Sequence, residues 1–314
     1  MAANAPAASI FSVSLASATD AATVTHLADV TVPSSYVSFT PVAVGSKTYL
    51  LGYNPAQPTL DVFEFTPAAP WLQLASAKPQ IGAAKDKICV FTLGNLPYLC
   101  VYTAKNGVFE TYLVASDLTL SKPYEFYRNH ELALSQNFTT LKFFAQFGQV
   151  VFLGYRDDGY VAMYTATTAV SSPSPDIPPL LMTPQWSHMW APGWTRFAFF
   201  QFGGEPFFLK TNTQKLNVNI DHVLDTLSLG TTEVGTLLQA QLPAALQLTN
   251  VEPLTLGDAD PWFVTYIAST GSATLNRIHA DCLGWTQGAQ FTSTPGASVV
   301  APLAVGGQTF LILV

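Results

Sequence analysis

The densest group of residues able to do chemistry lies in Gln185-Trp-Ser-His-Met-Trp-Ala-Pro-Gly-Trp194, which gathers Trp186, His188, Trp190 and Trp194. Indole rings present flat apolar faces that stack on the C–H surface of a sugar or another flat ligand, and their N–H keeps a polar partner. The same tryptophans would also fill the gap between broad sheets. A second group is spread along the chain. Tyr53, Tyr102, Tyr155 and Tyr266 each close an apolar run just before a polar turn, with Asn54, Thr103, Arg156-Asp157-Asp158 and Ser269 close behind them. Repeated tyrosines with polar neighbours would make several equivalent weak sites, the arrangement that gains avidity for a multivalent glycan. The polar partners differ from one tyrosine to the next, which equally suits rings packed between sheets with hydroxyls reaching the rim.

Enzymatic signatures are sparse. Asp86, Lys87, Lys142, Arg196, Asn250 and Glu252 fall at the starts of strand-like runs. With two acids among several cations they read as ion pairs rather than as a Ca²⁺ or Zn²⁺ site. His222 and His279, near Asp221 and Asp281, would make a proton-transfer pair only if brought together. No GxSxG, HExxH, Walker loop, GxGxxG or Asp-rich calcium loop occurs, so no catalytic residue, metal or cofactor is assigned.

These side chains must be positioned by strands. The chain is 49% hydrophobic and 11% charged over 314 residues, and rich in Phe and Tyr, which strands favour. Its net charge of −7 and lack of Lys- or Arg-rich runs exclude nucleic acid as a partner. No window is long and apolar enough for a membrane span. Residues 9–18 lack the positive flank of a signal peptide. Cys89, Cys100 and Cys282 cannot all pair and lack CxxC spacing, so they are expected reduced, and a cytoplasmic location is expected. The Asn137-Phe-Thr139 sequon would matter only in a secreted chain.

An apolar hairpin recurs around glycines 45, 94, 148, 203, 257 and 306, at intervals of 49, 54, 55, 54 and 49 residues. A third strand follows each of the first five hairpins, at 60–65, 108–114, 160–165, 216–220 and 274–278, with a fourth behind it. A period near fifty with four strands per unit is the pattern of a β-propeller. The expected fold is therefore all-β: a six-bladed β-propeller of four-stranded antiparallel blades forming one domain. Blades are expected at about 36–85, 86–138, 139–194, 195–247 and 248–297, and the last blade joins residues 8–32 to the hairpin at 298–314. Residues 237–246 hold the best helical periodicity, and also fit a fourth strand and a link. Neither WD dipeptides with Gly-His partners nor the Gly-Gly series of kelch repeats occurs.

The expected function is non-enzymatic binding of a glycan or small molecule, lectin-like, with one or more rim sites. A hydrolase or lyase with one site at the channel mouth and a protein-interaction scaffold are the alternatives.

Overall fold

A computed structural model describes residues 7–15, 22–121, 124–126, 136–146, 149–168, 180–223, 234–257 and 260–314. Its strands form six four-stranded antiparallel sheets arranged as a six-bladed β-propeller. The expected turn at Gly148 lies outside the described residues.

Each of the first five blades is a meander, with the first strand innermost. The first strands are Ser38–Val44, Lys87–Leu93, Thr140–Gln146, Trp194–Phe202 and Asn250–Thr255, and Val300–Val305 belongs to the closing blade. They neighbour one another in ring order, the last touching the first. Second strands are largely apolar because both of their faces are covered by adjacent blades; in Lys47–Tyr53 the final five residues are all buried, and Glu205–Asn212 departs from this by burying Lys210, Thr211 and Asn212. Outer strands alternate or are exposed, as in Trp285–Thr292. The hairpin turns need a left-handed backbone, which glycine adopts without Cβ strain; Gly45 has φ 62° and Gly306 φ 58°.

The closing blade has the order Ala22–Thr31, Ala7–Leu15, Gln308–Leu313, Val300–Val305. Ser9 pairs with Leu313 and Val13 with Thr309, so the ring is shut by antiparallel bonds between distant parts of the chain. The expected closure is the one observed.

Two elements are defined more closely by the structure. The segment 237–246 divides into the end of the strand Val234–Gln241 and a 3₁₀ turn, Pro243–Leu246. The fourth strand of blade 1 is Leu72–Leu74, and Trp71 just before it has φ 55°.

The core is divided into interblade layers. One layer joins Leu51, Tyr53 and Val62 of blade 1 to Ile88, Leu99 and Val101 of blade 2. Another joins Ala8, Ile10, Phe310 and Ile312 of the closing blade to Phe39, Leu50 and Phe63 of blade 1. Where an aromatic ring crosses a second strand, a glycine makes room. A Cβ on Gly154 would lie 2.6 Å from the Phe138 ring, and one on Gly52 2.8 Å from Tyr36.

Candidate functional site

The four recurrent tyrosines are buried, none more than 1% exposed. Their hydroxyls hold the chain that enters the next blade. Tyr53 accepts the Lys85 N–H at 2.7 Å, Tyr102 the Phe138 N–H at 3.1 Å, and Tyr155 the Trp194 N–H at 3.3 Å. Tyr266 donates to the Thr294 carbonyl at 3.4 Å. Burial raises the pKa of Tyr53, Tyr102 and Tyr155. The regular spacing of these residues therefore reflects a repeated blade-to-blade tie, with no ring face open to a ligand.

Their polar neighbours organise turns. Asn54 accepts the Ala56 N–H at 2.9 Å and donates to Ser34 at 3.2 Å. Arg156 pairs with Asp158 and lies 4.6 Å from the Tyr160 ring centroid, while Asp157 accepts the Thr139 hydroxyl at 2.9 Å.

The tryptophan cluster runs from the outer strand inward, with the Trp186 and Trp190 ring centroids 6.0 Å apart. Trp186 and His188 stack on the outermost strand of blade 3, with centroids 5.7 Å apart. Trp190 and Trp194 turn inward and cover the ammonium of Lys210, whose Nζ is 3.6 Å and 4.6 Å from their ring centroids. Lys210 pairs in turn with Asp221 at 2.7 Å, and Asp221 accepts the Thr236 hydroxyl at 2.6 Å. Burial lowers the Lys210 pKa against the opposing pull of Asp221. The cation these two indoles cover is the protein's own.

His222 lies 3.4 Å from Glu205 and His279 is 2.9 Å from the Thr286 hydroxyl, each partner being within the same blade. Among the described residues no three His, Cys, Asp or Glu side chains cluster as metal ligands would.

The chemistry that remains accessible converges on the channel. At the end where the first strands begin, a mouth of about 420 Å³ is lined by Asp86, Lys87, Lys142, Asn250 and Glu252. Lys142 Nζ donates to both carboxylate oxygens of Glu252, at 3.1 and 3.0 Å. That pair links blade 3 to blade 5. Arg196 of blade 4 stands outside the lining of the mouth and acts on Lys87 and Glu252 through its charge. Arg196 donates through Nε to the Thr249 carbonyl and through Nη1 to the Thr195 carbonyl, at 2.5 and 2.9 Å. Asp86 accepts the Ala104 N–H at 2.7 Å.

Burial lowers the Lys87 pKa, Cys89 and Asp86 oppose that, and the positive charges of Arg196 and Lys142 push it further down. Burial likewise lowers that of Arg196, against Glu252. Among the described residues neither Lys87 nor Arg196 has a carboxylate partner. The buried Asn250 Oδ1 has no hydrogen-bond partner either. Cys89, at the same mouth, has its pKa pushed up to about 11 by burial, so its thiol stays protonated and unreactive at neutral pH.

The opposite mouth is larger, about 770 Å³, with Phe143, Phe144, Phe199, Phe200 and Phe202 in its wall beside Gln201, Thr255, Asp260 and Thr309. Phe144 and Phe199 stack face to face, with centroids 4.2 Å apart. Sequence reasoning placed the charged residues near the channel but missed this wall. Its signal was the doubled Phe in consecutive first strands, Phe143-Phe144 and Phe199-Phe200.

Solved structures resemble this arrangement. A Bacteroides fragilis protein provisionally assigned as a 6-phosphogluconolactonase is 11% identical, with TM-score 0.55, over 94% of this chain and 84% of its own. The SapL1 lectin in complex with α-methyl fucoside is 12% identical, with TM-score 0.52, over 87% of each chain. The WD40 domain of Toxoplasma gondii coronin is 11% identical, with TM-score 0.50, over 89% of this chain and 81% of its own. The likeness is one of fold. No protein-family model and no curated protein matches the chain.

Proposed function

We propose that the protein is a binding propeller whose ligand is a small anionic carbohydrate, held at the charged mouth of the channel. The observation that carries this reading is the pair of part-buried cations, Lys87 and Arg196, without carboxylate partners in a protein of net charge −7. Desolvating a cation without pairing it costs free energy, and a bound anion recovers it. A concave wall also focuses the positive field and draws anions in. The SapL1 lectin, of similar fold, is solved in complex with a fucoside, which supports a sugar as the ligand class.

Calorimetry with galacturonate and with galactose tests the proposal. One site per chain is expected, with the neutral sugar weaker by about tenfold or more, as for loss of a charge-assisted hydrogen bond. Lys87→Gln and Arg196→Gln should each weaken galacturonate and leave folding intact. Because an anion needs Lys87 protonated, affinity should fall with rising pH before the ordinary lysine value of 10.5 is reached. Equal affinity for the two sugars, or full affinity in both variants, would overturn the proposal.

A further inference from the structure

Each interblade layer but one contains a buried tyrosine. Tyr53, Tyr102, Tyr155 and Tyr266 serve four of them and Tyr36 the layer between the closing blade and blade 1, whereas the layer between blades 4 and 5 has none among the described residues. At the tyrosine register blade 4 carries Thr211, opposite Arg196. The link into blade 5 is held in another way: the Leu248 N–H donates to the Ala244 carbonyl at 3.2 Å, across the 3₁₀ turn Pro243–Leu246.

At this seam a cavity of about 250 Å³ opens beside the exposed Gln287 on the outermost strand of blade 5. Its two walls differ in character. The blade 5 wall is polar because strand register puts its polar residues on one face: Thr265 lies opposite Thr274, and Asn276, two residues on, lies opposite Gln287. Thr265 and Thr274 are half-buried and Gln287 is exposed, so this wall meets solvent. The Thr265 hydroxyl is 3.5 Å from the Thr274 carbonyl, the outer limit of a hydrogen bond, and gives that contact up at little cost. The facing wall is apolar, made by the half-buried Leu242 and Ala244 of the chain leaving blade 4. Trp285, also half-buried, closes one end, its indole held by a T-shaped contact with Phe263 at 6.0 Å between centroids. Among the described residues no lining side chain is charged.

We propose that this interblade cavity binds one neutral monosaccharide. A pyranose has the same two-sidedness as the walls. Its hydroxyls suit the threonine hydroxyls and the Gln287 amide, and its C–H surface suits Leu242, Ala244 and the indole. An uncharged lining disfavours a sugar acid, because a carboxylate leaving water for this cavity would meet no cation. The space equals roughly eight waters at about 30 Å³ each, which takes a single ring and no longer chain. The site is separate from the charged channel mouth, and neither proposal depends on the other.

The test is an NMR titration of the full chain with the methyl α-glycosides of glucose, galactose, mannose and fucose, which reads affinity and place together. At least one should shift the Trp285 indole N–H and the Thr274 amide and saturate as a single site, while galacturonate leaves both unmoved. For that glycoside Thr274→Val and Gln287→Ala should each weaken binding about threefold to tenfold, the worth of one net hydrogen bond. Ala244→Leu should fill the cavity and abolish binding; should it fail to fold, the other two variants decide. A galactoside that shifts Trp285 and leaves Lys87 unmoved is bound here, and does not enter the comparison made at the channel mouth. Response to none of the four glycosides would overturn the proposal. So would undiminished affinity in Thr274→Val and Gln287→Ala, equal shifts at Trp285 from galacturonate, or shifts confined to Lys87 and Lys142, which would place the sugar at the channel mouth instead.

Discussion

Replacing Lys210 with methionine is expected to destabilise the protein far more than the worth of the ion pair it breaks. Lys210 and Asp221 are 2.7 Å apart, with side chains 5% and 0% exposed. At an effective dielectric near 20 their attraction is about 6 kcal/mol. Cover by Trp190 and Trp194 adds roughly 2 kcal/mol for a desolvated cation. Against this stands a desolvation penalty of several kcal/mol for each ion, so the intact pair is close to neutral. Removing only the lysine leaves the penalty of Asp221 with a single hydroxyl donor, Thr236. Lys210→Met should therefore cost about 3–5 kcal/mol, whereas Lys210→Met with Asp221→Leu should recover most of that loss. The cost should shrink in acid, because an unpaired buried carboxyl gains a proton more readily in the folded state than in the unfolded one. Urea unfolding followed by circular dichroism and tryptophan fluorescence measures all three proteins at neutral pH and near pH 4. A single variant within about 1 kcal/mol of wild type, or a double variant no better than the single, would refute the account of the pair.

Gly154→Ala should lower the urea midpoint by about 1–3 kcal/mol of stability, since its Cβ would sit 2.6 Å from Phe138, and Phe138→Leu in the same chain should return part of it. No change in midpoint would mean that the ring shifts freely. Ser9→Ala tests the closing blade. The Ser9 hydroxyl, 2.7 Å from Asp29, is the main cause holding that carboxyl below its ordinary 3.8; burial opposes it and His26 assists it. A depressed carboxyl stabilises the fold above pH 3.8, and that contribution is lost as pH falls through its folded value. In Ser9→Ala an NMR titration should show Asp29 moving up toward 3.8, and the stability gap to wild type should narrow in acid. An unmoved Asp29 titration would contradict this.

The ring was legible because its determinants are periodic: turn glycines at near-equal intervals and apolar second strands buried on both faces. Even the split closing blade showed as a hairpin at residues 299–314 lacking two strands that residues 8–32 could provide. Function was harder to read, because burial depends on neighbours the sequence does not place together. The periodicity of Tyr53 and its counterparts was plain, but whether they faced a ligand or a backbone amide depended on the chain entering the next blade. Lys210 ends an apolar run and would pass for an edge residue; only the packing of blade 3 on blade 4 sets Trp190 above it. Lys142 and Glu252 meet across a channel, between blades that are not adjacent. Their pairing follows from the curvature of the ring and from no local pattern.

The seam of the closing blade also imposes an order on synthesis. The strand Ala7–Leu15 is made before blades 1 to 5, and its inner partner, Gln308–Leu313, only after them. Until then one edge of that strand has no partner, and the face of blade 1 that carries Phe65 and Trp71 waits for Phe310. An unpaired edge beside an uncovered apolar face invites pairing with another chain. The interval before closure is therefore when crowding by like chains threatens most, and a chaperone that shields the early strand would act on yield while leaving the finished ring unchanged.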